Sequence, residues 1–369
     1  MSVERVQVRA GGGERDYPVI LGAGARAAVP EIALESAPRV RRWAVISDDT
    51  VAPLHAASIA DALGASGLGG DLHTFPAGER HKGRAEWAAL SDALLAAGHG
   101  RDSGVIAVGG GVVGDLAGFV AATFMRGIPV LQVPTSLVAM IDASVGGKTA
   151  VDTDFGKNLI GAFHPPVAVV ADPETIETLP RRERAQGLAE ALKHGAILDQ
   201  DYAHRIVELA EALLSAHPAA TLEVVRRSVE IKAMVVSQDE REAGMREILN
   251  FGHTVGHALE LASGYSIPHG SAVALGMLAE ARMGEAWGLT AAGVADWLAS
   301  ALEPLELPSA LPSFDPVQIA QLMARDKKAR AEPRTVLLSR IGEVARAQGS
   351  WSHPRSVAEI ASTLTPLAG

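Results

Sequence analysis

Short apolar runs alternate with helical patterns along the first part of the chain, and this alternation constrains the fold more than any other feature. Runs typical of strands occupy residues 43–46, 71–75, 104–108, 129–133 and 167–171, and helical stretches follow several of them. Alternation at this spacing is typical of a parallel sheet that has helices on both faces. The sequence therefore predicts an α/β domain.

The pattern changes near residue 173, after which apolar residues recur at i, i+3 and i+4, as in amphipathic helices. The predicted helices cover residues 188–198, 202–214, 221–236, 249–261, 271–287 and 294–302, and only 334–338 look extended. We therefore expect two domains with a working cleft. Residues 1–172 should form a Rossmann-like nucleotide-binding α/β N-terminal domain, and residues 173–369 an all-α or mainly α-helical C-terminal domain.

Composition and charge exclude several classes of protein. The net charge of −10 and the aromatic content of only 4% argue against nucleic-acid binding. The absence of cysteine excludes disulfides, thiolate zinc sites and cysteine nucleophiles. No uncharged apolar run reaches the roughly 18 residues of a membrane span, and the first residues lack the apolar region of a signal peptide. We expect a cytoplasmic protein that binds neither nucleic acid nor membranes.

A glycine cluster follows the predicted strand at 104–108 and opens a helix. Residues 109–114, GGGVVG, contain G-x-G-x-x-G, in which glycines let a pyrophosphate approach the backbone and the helix N-terminus attracts negative charge. The usual fingerprint places an acid at the end of the next strand, but here the acid, Asp48, lies before the cluster. The pattern predicts a nucleotide site of unusual arrangement, and a tight βα turn without a ligand is the alternative.

Lysines and arginines lie beside these segments, although the chain is acidic overall. Residues 145–149, VGGKT, resemble the end of a P-loop, but Asp142 stands where that motif requires glycine. The cations near candidate segments are Lys148, Lys157, Lys193, Lys232 and Arg246, and a later basic run contains Arg325, Lys327, Lys328 and Arg330. Such a run is often only a solvated face. Because burying unpaired charge is costly, the set also favours a carboxylated or phosphorylated substrate.

Two histidines, His253 and His257, are four residues apart and therefore share one face of a predicted helix. His269 opens the next helix, and Glu190 is the best-placed acid. Histidine and carboxylate ligands form open zinc-type sites. From the residues alone, His253 and His257 are the preferred ligand pair, with a capping or core role as the alternative. For Glu190 with Lys193, the alternative is a surface ion pair.

Five segments together resemble the 3-dehydroquinate synthase family of the shikimate pathway. They cover residues 109–128, 132–166, 178–195, 230–260 and 269–277. The resemblance implies an NAD-binding α/β domain and a helical metal-binding domain. It also implies a phosphate lyase that converts 3-deoxy-D-arabino-heptulosonate 7-phosphate to 3-dehydroquinate. In that reaction NAD oxidises the substrate transiently, phosphate is eliminated, the ketone is reduced, and the ring opens and recloses by an aldol step.

The family's functional residues have counterparts in this sequence. The resemblance implies zinc or cobalt bound by Glu190, His253 and His269, which replaces the pair that contains His257. It implies that NAD contacts Asp48, Gly78, Glu79, Lys82, Gly110, Gly111, Val112, Val113, Gly114, Asp115, Thr135, Ser136, Asp142, Lys148, Lys157, Asn158, Thr175 and Thr178. It implies substrate or catalytic roles for Arg126, Asp142, Lys148, Lys193, Lys232, Arg246, Asn250, His257 and Lys328 or Lys327. Arg126 would reach in from a neighbouring subunit, so we expect a homodimer.

Three positions depart from the family pattern. Ser271 stands where glutamate is usual, which puts in doubt a contact that orients the metal histidine; Asp152 replaces a common asparagine and His194 a frequent tyrosine. Three alternatives to this function are kept open. They are a sister sugar-phosphate cyclase, a metal-dependent oxidoreductase similar to glycerol dehydrogenase, and a non-catalytic NAD-sensing or scaffold protein.

Overall fold

The computed structural model describes residues 3–10, 15–325, 332–347 and 349–367. The strands are β1 (Glu4–Val8), β2 (Tyr17–Leu21), β3 (Arg42–Asp48), β4 (Gly69–Phe75), β5 (Ser103–Gly109), β6 (Val130–Pro134), β7 (Lys148–Thr153), β8 (Gly156–Phe163), β9 (Ala168–Ala171), β10 (Arg334–Thr335), β11 (Leu338–Arg340), β12 (Glu343–Val344) and β13 (His353–Pro354).

The α-helices are α1 (Val29–Ser36), α2 (Ala57–Ala65), α3 (Arg84–Ala96), α4 (Gly111–Thr123), α5 (Arg181–Leu198), α6 (Gln200–Glu208), α7 (Ala210–Leu214), α8 (Pro218–Gln238), α9 (His253–Ala262), α10 (His269–Ala286), α11 (Val294–Leu302), α12 (Pro316–Ala324) and α13 (Val357–Leu364). Within the described ranges, no helix is long and apolar enough to cross a membrane.

The chain divides into two compact units. The first contains Met1–Pro180 and Ala216–Glu240, and the second contains Arg181–Ser215 and Arg241–Gly369. Helix α8 joins the first unit because it packs against β1 and the helical turn Ala139–Ala143. Helical periodicity placed this segment after residue 173 but could not indicate its packing partner. The division into domains 1–172 and 173–369 stays a prediction.

The first unit is built on a sheet of strand order β1-β2-β9-β6-β5-β3-β4. Its strands pair in parallel apart from the antiparallel β1–β2 pair. One apolar cluster includes residues of α1 and α2, and another includes residues of α3 and α4. Strand β5, SGVIAVG, is buried along its whole length, as expected for a parallel strand covered by helices. The predicted α/β architecture is confirmed.

The direction of strand addition reverses at β3. From β3 the chain adds β4 on one side and then β5, β6 and β9 on the other. In open α/β sheets, ligands bind outside the carboxyl ends of the strands at such a switch point. The carboxyl ends of β3 and β5 carry Asp48 and Gly109 respectively, so two of the predicted nucleotide segments flank this position.

The second unit is mainly helical. Helix α10 is buried on nearly all sides, which fits its apolar sequence without a polar face. It packs against α5, α9, α11 and α13. The predicted extended segment at 334–338 corresponds to β10 and the start of β11, which pair with β13 and β12 in two short antiparallel sheets. In the first unit the antiparallel β7–β8 hairpin was missed by the sequence analysis because its strands are rich in glycine and polar residues.

Candidate functional site

A cluster of one carboxylate and two imidazoles lies in the second unit. Helix α5 supplies Glu190, and α9 and α10 supply their first residues, His253 and His269. Glu190 Oε1 is 3.4 Å from His253 Nε2 and 3.3 Å from His269 Nε2. One potential ligand atom from each residue lies within 4.8 Å of the others. This donor set fits a divalent ion of the zinc class, which takes histidine nitrogen and carboxylate oxygen.

Close packing of α9 and α10 brings the histidines together. Gly252, the residue before α9, has φ +79°, a conformation that favours glycine. A Cβ there would lie 2.6 Å from Met277 Cγ and 2.8 Å from Val273 O, both on α10. At Gly276, a Cβ would overlap the Gly252 carbonyl. Side chains at these positions would therefore push His253 away from α10.

Glu190 is the anionic centre of the cluster. It is 1% exposed, and its Oε2 lies 2.5 Å from Lys193 Nζ one turn along α5. Burial alone would raise the pKa of Glu190, but Lys193 and His253 outweigh burial and hold it well below its usual range. The carboxylate is therefore ionised at neutral pH and available to a cation. The alternative of a surface ion pair is wrong, because both side chains are buried.

The two histidines differ in their protonation. Burial, followed by Lys193, lowers the pKa of His253 to about 4, so its ring is neutral as a metal ligand requires. Burial also opposes protonation of His269, but hydrogen bonds to Glu190 and Glu260 raise its pKa to about 10. Metal binding at this cluster must therefore displace a proton from His269.

The outer nitrogens of both rings face acceptors. His253 Nδ1 lies 3.2 Å from the Phe251 carbonyl oxygen, and His269 Nδ1 lies 3.6 Å from Glu260 Oε1. An acceptor at Nδ1 leaves Nε2 as the metal-facing atom and fixes the ring orientation. Ser271 instead contacts Gln186: its backbone N–H donates to Gln186 Oε1 at 2.8 Å, and its hydroxyl accepts from Gln186 Nε2 at 3.1 Å.

His257 belongs to a second, overlapping group with Glu260 and His269. Its ring centroid is 5.3 Å from that of His253 and 6.2 Å from that of His269, and its side chain is exposed. Among the described residues, His253 shares a potential ligand group with Glu190 and His269, whereas His257 falls in the other group. This agrees with the ligand set implied by the family resemblance, and the assignment stays a proposal.

Glu280, on α10, is a buried carboxylate that sequence reasoning did not single out. Its Oε2 accepts the Gly252 N–H at 2.7 Å and its Oε1 accepts the Val255 N–H at 3.1 Å. Burial raises the pKa of Glu280 to about 8, while these backbone donors act in the opposite direction. The carboxylate thus binds backbone groups on both sides of His253.

In the first unit, the glycine cluster forms the turn between β5 and α4. Gly110 is extended and precedes the helix, which begins at Gly111. A Cβ at Gly110 would lie 3.3 Å from Ser136 Oγ, so the backbone lies next to the segment after β6. Asp48 Oδ1 accepts the N–H groups of Thr50 and Val51. Backbone N–H groups at the start of a helix suit a pyrophosphate, as predicted for this segment.

Lys82 lies in a charged cluster with Asp115 of α4, the helix that follows the glycine turn. Its side chain is 4% exposed, and Nζ lies 2.5 Å from Asp115 Oδ2 on α4 and 2.7 Å from Asn158 Oδ1 on β8. Glu79 is 3.8 Å away. Although burial lowers the pKa of Lys82, Asp115 and Glu79 outweigh it and raise the value, so the lysine stays charged.

Comparison with known proteins decides the family. The family model described as 3-dehydroquinate synthase N-terminal matches residues 72–186, and the model described as 3-dehydroquinate synthase C-terminal matches residues 187–329. The chain belongs to the 3-dehydroquinate synthase family. The 3-dehydroquinate synthase of Symbiobacterium thermophilum is 46% identical over 321 residues, which are 86% of this chain and 90% of that protein. The family predicted from the five sequence segments is confirmed.

Two solved structures of related cyclases have the same fold. A 2-deoxy-scyllo-inosose synthase in complex with carbaglucose-6-phosphate, NAD+ and Co2+ is 26% identical, with a TM-score of 0.87 over 98% of this chain and 100% of that one. The 2-epi-5-epi-valiolone synthase of Streptomyces hygroscopicus subsp. jinggangensis, with NAD+ and Zn2+, is also 26% identical, with a TM-score of 0.85 over 98% and 99% of the two chains.

The remaining predicted NAD residues of this family member lie in the first unit. Thr178 Oγ1 is 2.8 Å from His55 Nε2, and the hydroxyl of the buried Thr175 donates to Asp172 O. Val113 is completely buried in the apolar cluster of α3 and α4, so its side chain packs in the core and only its backbone can contact a ligand. The others named in the prediction, Gly78, Val112, Gly114, Thr135, Asp142, Lys148 and Lys157, also belong to this unit.

The predicted substrate residues occur in both units. In the first, Lys232 Nζ lies 2.6 Å from Asp142 Oδ1, and Lys148 is exposed at the start of β7. In the second, Arg246 is 2% exposed, and Asn250 Nδ2 donates to Glu242 Oε1 at 2.9 Å. Lys328, with Lys327 and Arg330, lies outside the described residues.

Arg126 lies in a strained turn after α4. Met125, Arg126 and Gly127 have φ values of +50°, +70° and +114°, and the first two are not glycine. The side chain of Arg126 is exposed. Strained backbone of this kind persists where the surrounding structure holds it, and it often marks a functional position.

Sequence reasoning missed Gln186, Glu242, Glu260 and Glu280. A signal existed for Glu260, because His253, His257 and Glu260 follow the i, i+4, i+7 spacing of one helix face. The other three act through contacts between segments that are not helical neighbours, and no sequence spacing indicated them.

Proposed function

We propose that the chain converts 3-deoxy-D-arabino-heptulosonate 7-phosphate to 3-dehydroquinate and phosphate, as a phosphate lyase without net oxidation. The observation that carries this proposal is the convergence of Glu190, His253 and His269 in a chain 46% identical to a 3-dehydroquinate synthase. A scaffold protein would have no need for buried lysines and a converging ligand set.

The proposed metal site consists of Glu190, His253 and His269, and zinc or cobalt is the proposed ion. The donor set supports this, and related cyclases have been solved with Co2+ and Zn2+. A bound ion would act as a Lewis acid on substrate oxygens. Among the chain's own groups, Glu190 supplies the negative charge, His253 a neutral ring nitrogen, and Lys193 keeps the carboxylate ionised.

NAD is the proposed second cofactor, held by the predicted residues around Asp48, Lys82 and the turn at Gly110. The position of Asp48 and this turn beside the switch point of the sheet supports the assignment, as do the NAD+ complexes of two related cyclases. When bound, NAD would accept a hydride from the substrate and later return it. Lys82 would remain charged for a phosphate or ribose contact because Asp115 balances it.

The proposed substrate is a phosphorylated sugar acid, whose anionic groups would be neutralised by the predicted lysines and arginines. Lys148, Lys193, Lys232 and Arg246 would supply the positive charges, and Asn250 and His257 would supply further polar contacts. Lys193 and Lys232 are buried and paired with carboxylates. Such pairing keeps the cations in place without a ligand and lowers the cost of their burial.

We also propose a homodimer in which Arg126 completes the partner's site. Support comes from the strained turn that exposes Arg126 and from β8, which pairs only with β7 in the described ranges and exposes Leu159, Ile160 and Phe163. An apolar edge of this kind is normally covered. A cytoplasmic location also belongs to the proposal, and cell fractionation would test it.

Subunit complementation tests the homodimer. If Arg126 acts across the interface, mixing R126A with H253A and exchanging subunits should restore activity up to about one quarter of the parent level. R101A, the control, removes another exposed arginine of the first unit. Mixed with H253A, it should give only the activity of the R101A subunits themselves, which are half of the mixture. A monomer at assay concentration, or no restoration by R126A, would contradict the proposal.

Product analysis with several substrates tests the reaction. With NAD and zinc or cobalt, the chain should release phosphate from 3-deoxy-D-arabino-heptulosonate 7-phosphate and form 3-dehydroquinate. Turnover of a hexose or heptulose phosphate in its place would identify a sister cyclase, in line with the two solved relatives. Steady NADH formation from glycerol would identify a dehydrogenase.

A further inference from the structure

We infer that Glu280 is a positioning residue that clamps the backbone on both sides of His253 and thereby sets the geometry of the metal site. This inference rests on the metal assignment in the proposed function. It concerns a residue outside the proposed ligands and outside the predicted substrate contacts.

The helix that carries His253 has no local cap. Its N-cap residue, Gly252, has no side chain to accept the first N–H groups of α9, and the Gly252 and Val255 residues are buried. Orphaned N–H groups at a buried helix end are costly. Glu280, which is 0% exposed, accepts both hydrogen bonds: its Oε2 accepts the Gly252 N–H, and its Oε1 accepts the Val255 N–H.

The two bonded N–H groups flank the ligand in sequence. His253 lies directly after Gly252 and two residues before Val255, so one carboxylate holds the peptide chain on either side of it. The chain enters α9 through Gly252, whose φ is +79°. A shift of either peptide would therefore move the His253 ring relative to Glu190.

Glu280 also couples the two metal histidines. His269 is the first residue of α10, and Glu280 follows 11 residues later on the same helix. At 3.6 residues per turn this is about three turns, so both residues are on the face of α10 that meets α9. One helix thus supplies His269 and, through Glu280, fixes the start of the helix that supplies His253.

The partners of Glu280 favour this role over an ion pair. The groups that act on the carboxylate are the backbone N–H groups of Val255, Gly252 and Thr254, and no cationic side chain is among them in the part of the chain that the structure describes. The positions of the Glu280 oxygens are therefore set by peptide groups at the start of α9.

Metal affinity of Glu280→Gln, measured by chelator competition with the purified full chain, tests the inference. The amide would offer one acceptor and turn its NH2 group towards a backbone N–H. We expect zinc affinity to fall about 10–100-fold, the range typical when a group that orients a ligand is lost. The visible absorption of the cobalt-loaded protein should change as well, and NAD affinity should not.

Glu285→Gln is the matched control. Glu285 lies on the same helix, and its Oε1 accepts the Ala295 N–H at 3.0 Å in the first turn of α11. It therefore caps a helix that carries no proposed ligand. We expect E285Q to lower thermal stability while it leaves zinc affinity and the cobalt spectrum unchanged.

The outcomes separate this inference from the metal assignment. If H253A loses metal but E280Q binds zinc and cobalt as the parent does, Glu280 is only a helix cap and the inference is overturned. If H253A retains full metal affinity, the metal assignment and the inference fail together. Should E280Q not fold, E280D keeps the charge but withdraws the carboxylate, and it must also weaken zinc binding for the inference to stand.

Discussion

The Glu190, His253 and His269 cluster of the second unit and the lysine–carboxylate pairs of the first unit balance their charges in different ways. In the second unit, Glu190 shares one negative charge among Lys193, His253 and His269, and its donor atoms converge. In the first, Lys82 and Lys232 each have a carboxylate partner, Asp115 and Asp142. The first arrangement is preorganised for a cation. The second holds lysine ammonium groups in place for an anionic ligand.

Loss of the central carboxylate should break the metal cluster and have the largest effect. We expect E190Q to lose stoichiometric zinc and to lower kcat at least about 1,000-fold, since a Lewis-acid metal contributes several kcal/mol to catalysis. Metal analysis and phosphate release would measure this. E183Q, an exposed change in the first turn of the same helix, should keep both. Full zinc content in E190Q would contradict the ligand assignment.

Removal of Lys82 should break the charge balance of the first unit instead. K82M leaves Asp115 and Asn158 without their cation, and we expect NAD to bind about 10–100-fold more weakly, as for loss of a charged hydrogen bond. Isothermal titration would measure this, and zinc content should be unchanged. K82M D115N should recover part of the lost stability but not NAD affinity. Parent-like NAD binding by K82M would contradict the role of Lys82.

The metal cluster should also have its own pH dependence. The pKa of His269 is raised from 6.5 to about 10 in the metal-free protein, so its contribution to stability is fully present below pH 6.5 and is lost as pH rises towards 10. Thermal unfolding of metal-free H269Q should lack this part of the pH slope. Because the His269 side chain is 41% exposed, solvent should weaken the effect. Equal slopes for both proteins would contradict it.

The smallest effect should follow a change at Ser271. Its hydroxyl and backbone N–H contact Gln186, whereas Glu260 faces His269 Nδ1. We therefore expect S271A to change zinc affinity by less than about threefold, within the net contribution of one neutral hydrogen bond. E260Q should weaken zinc binding more than S271A does. The reverse order would give Ser271 the orienting role that the family pattern assigns to glutamate at this position.

The sequence predicted the fold class because β/α alternation and helical periodicity depend on local spacing. It missed the β7–β8 hairpin, whose strands carry glycines and polar residues, and it could not indicate that α8 packs with the sheet. The histidines were found by spacing, but residues alone favoured His257 over His269. Only the fold brings His269 beside Glu190, since their helices are far apart in sequence. Glu280 was beyond prediction because it binds peptide groups rather than side chains.

Phosphate release under control of the metal is the most direct test of the central claim. The chain would be assayed with 3-deoxy-D-arabino-heptulosonate 7-phosphate and NAD as purified, after EDTA, and after addition of zinc or cobalt, while NADH absorbance is followed. The account predicts that phosphate release disappears with EDTA, returns with metal, and proceeds without NADH accumulation. Phosphate release that survives complete metal removal, or NADH that accumulates in step with turnover, would contradict it.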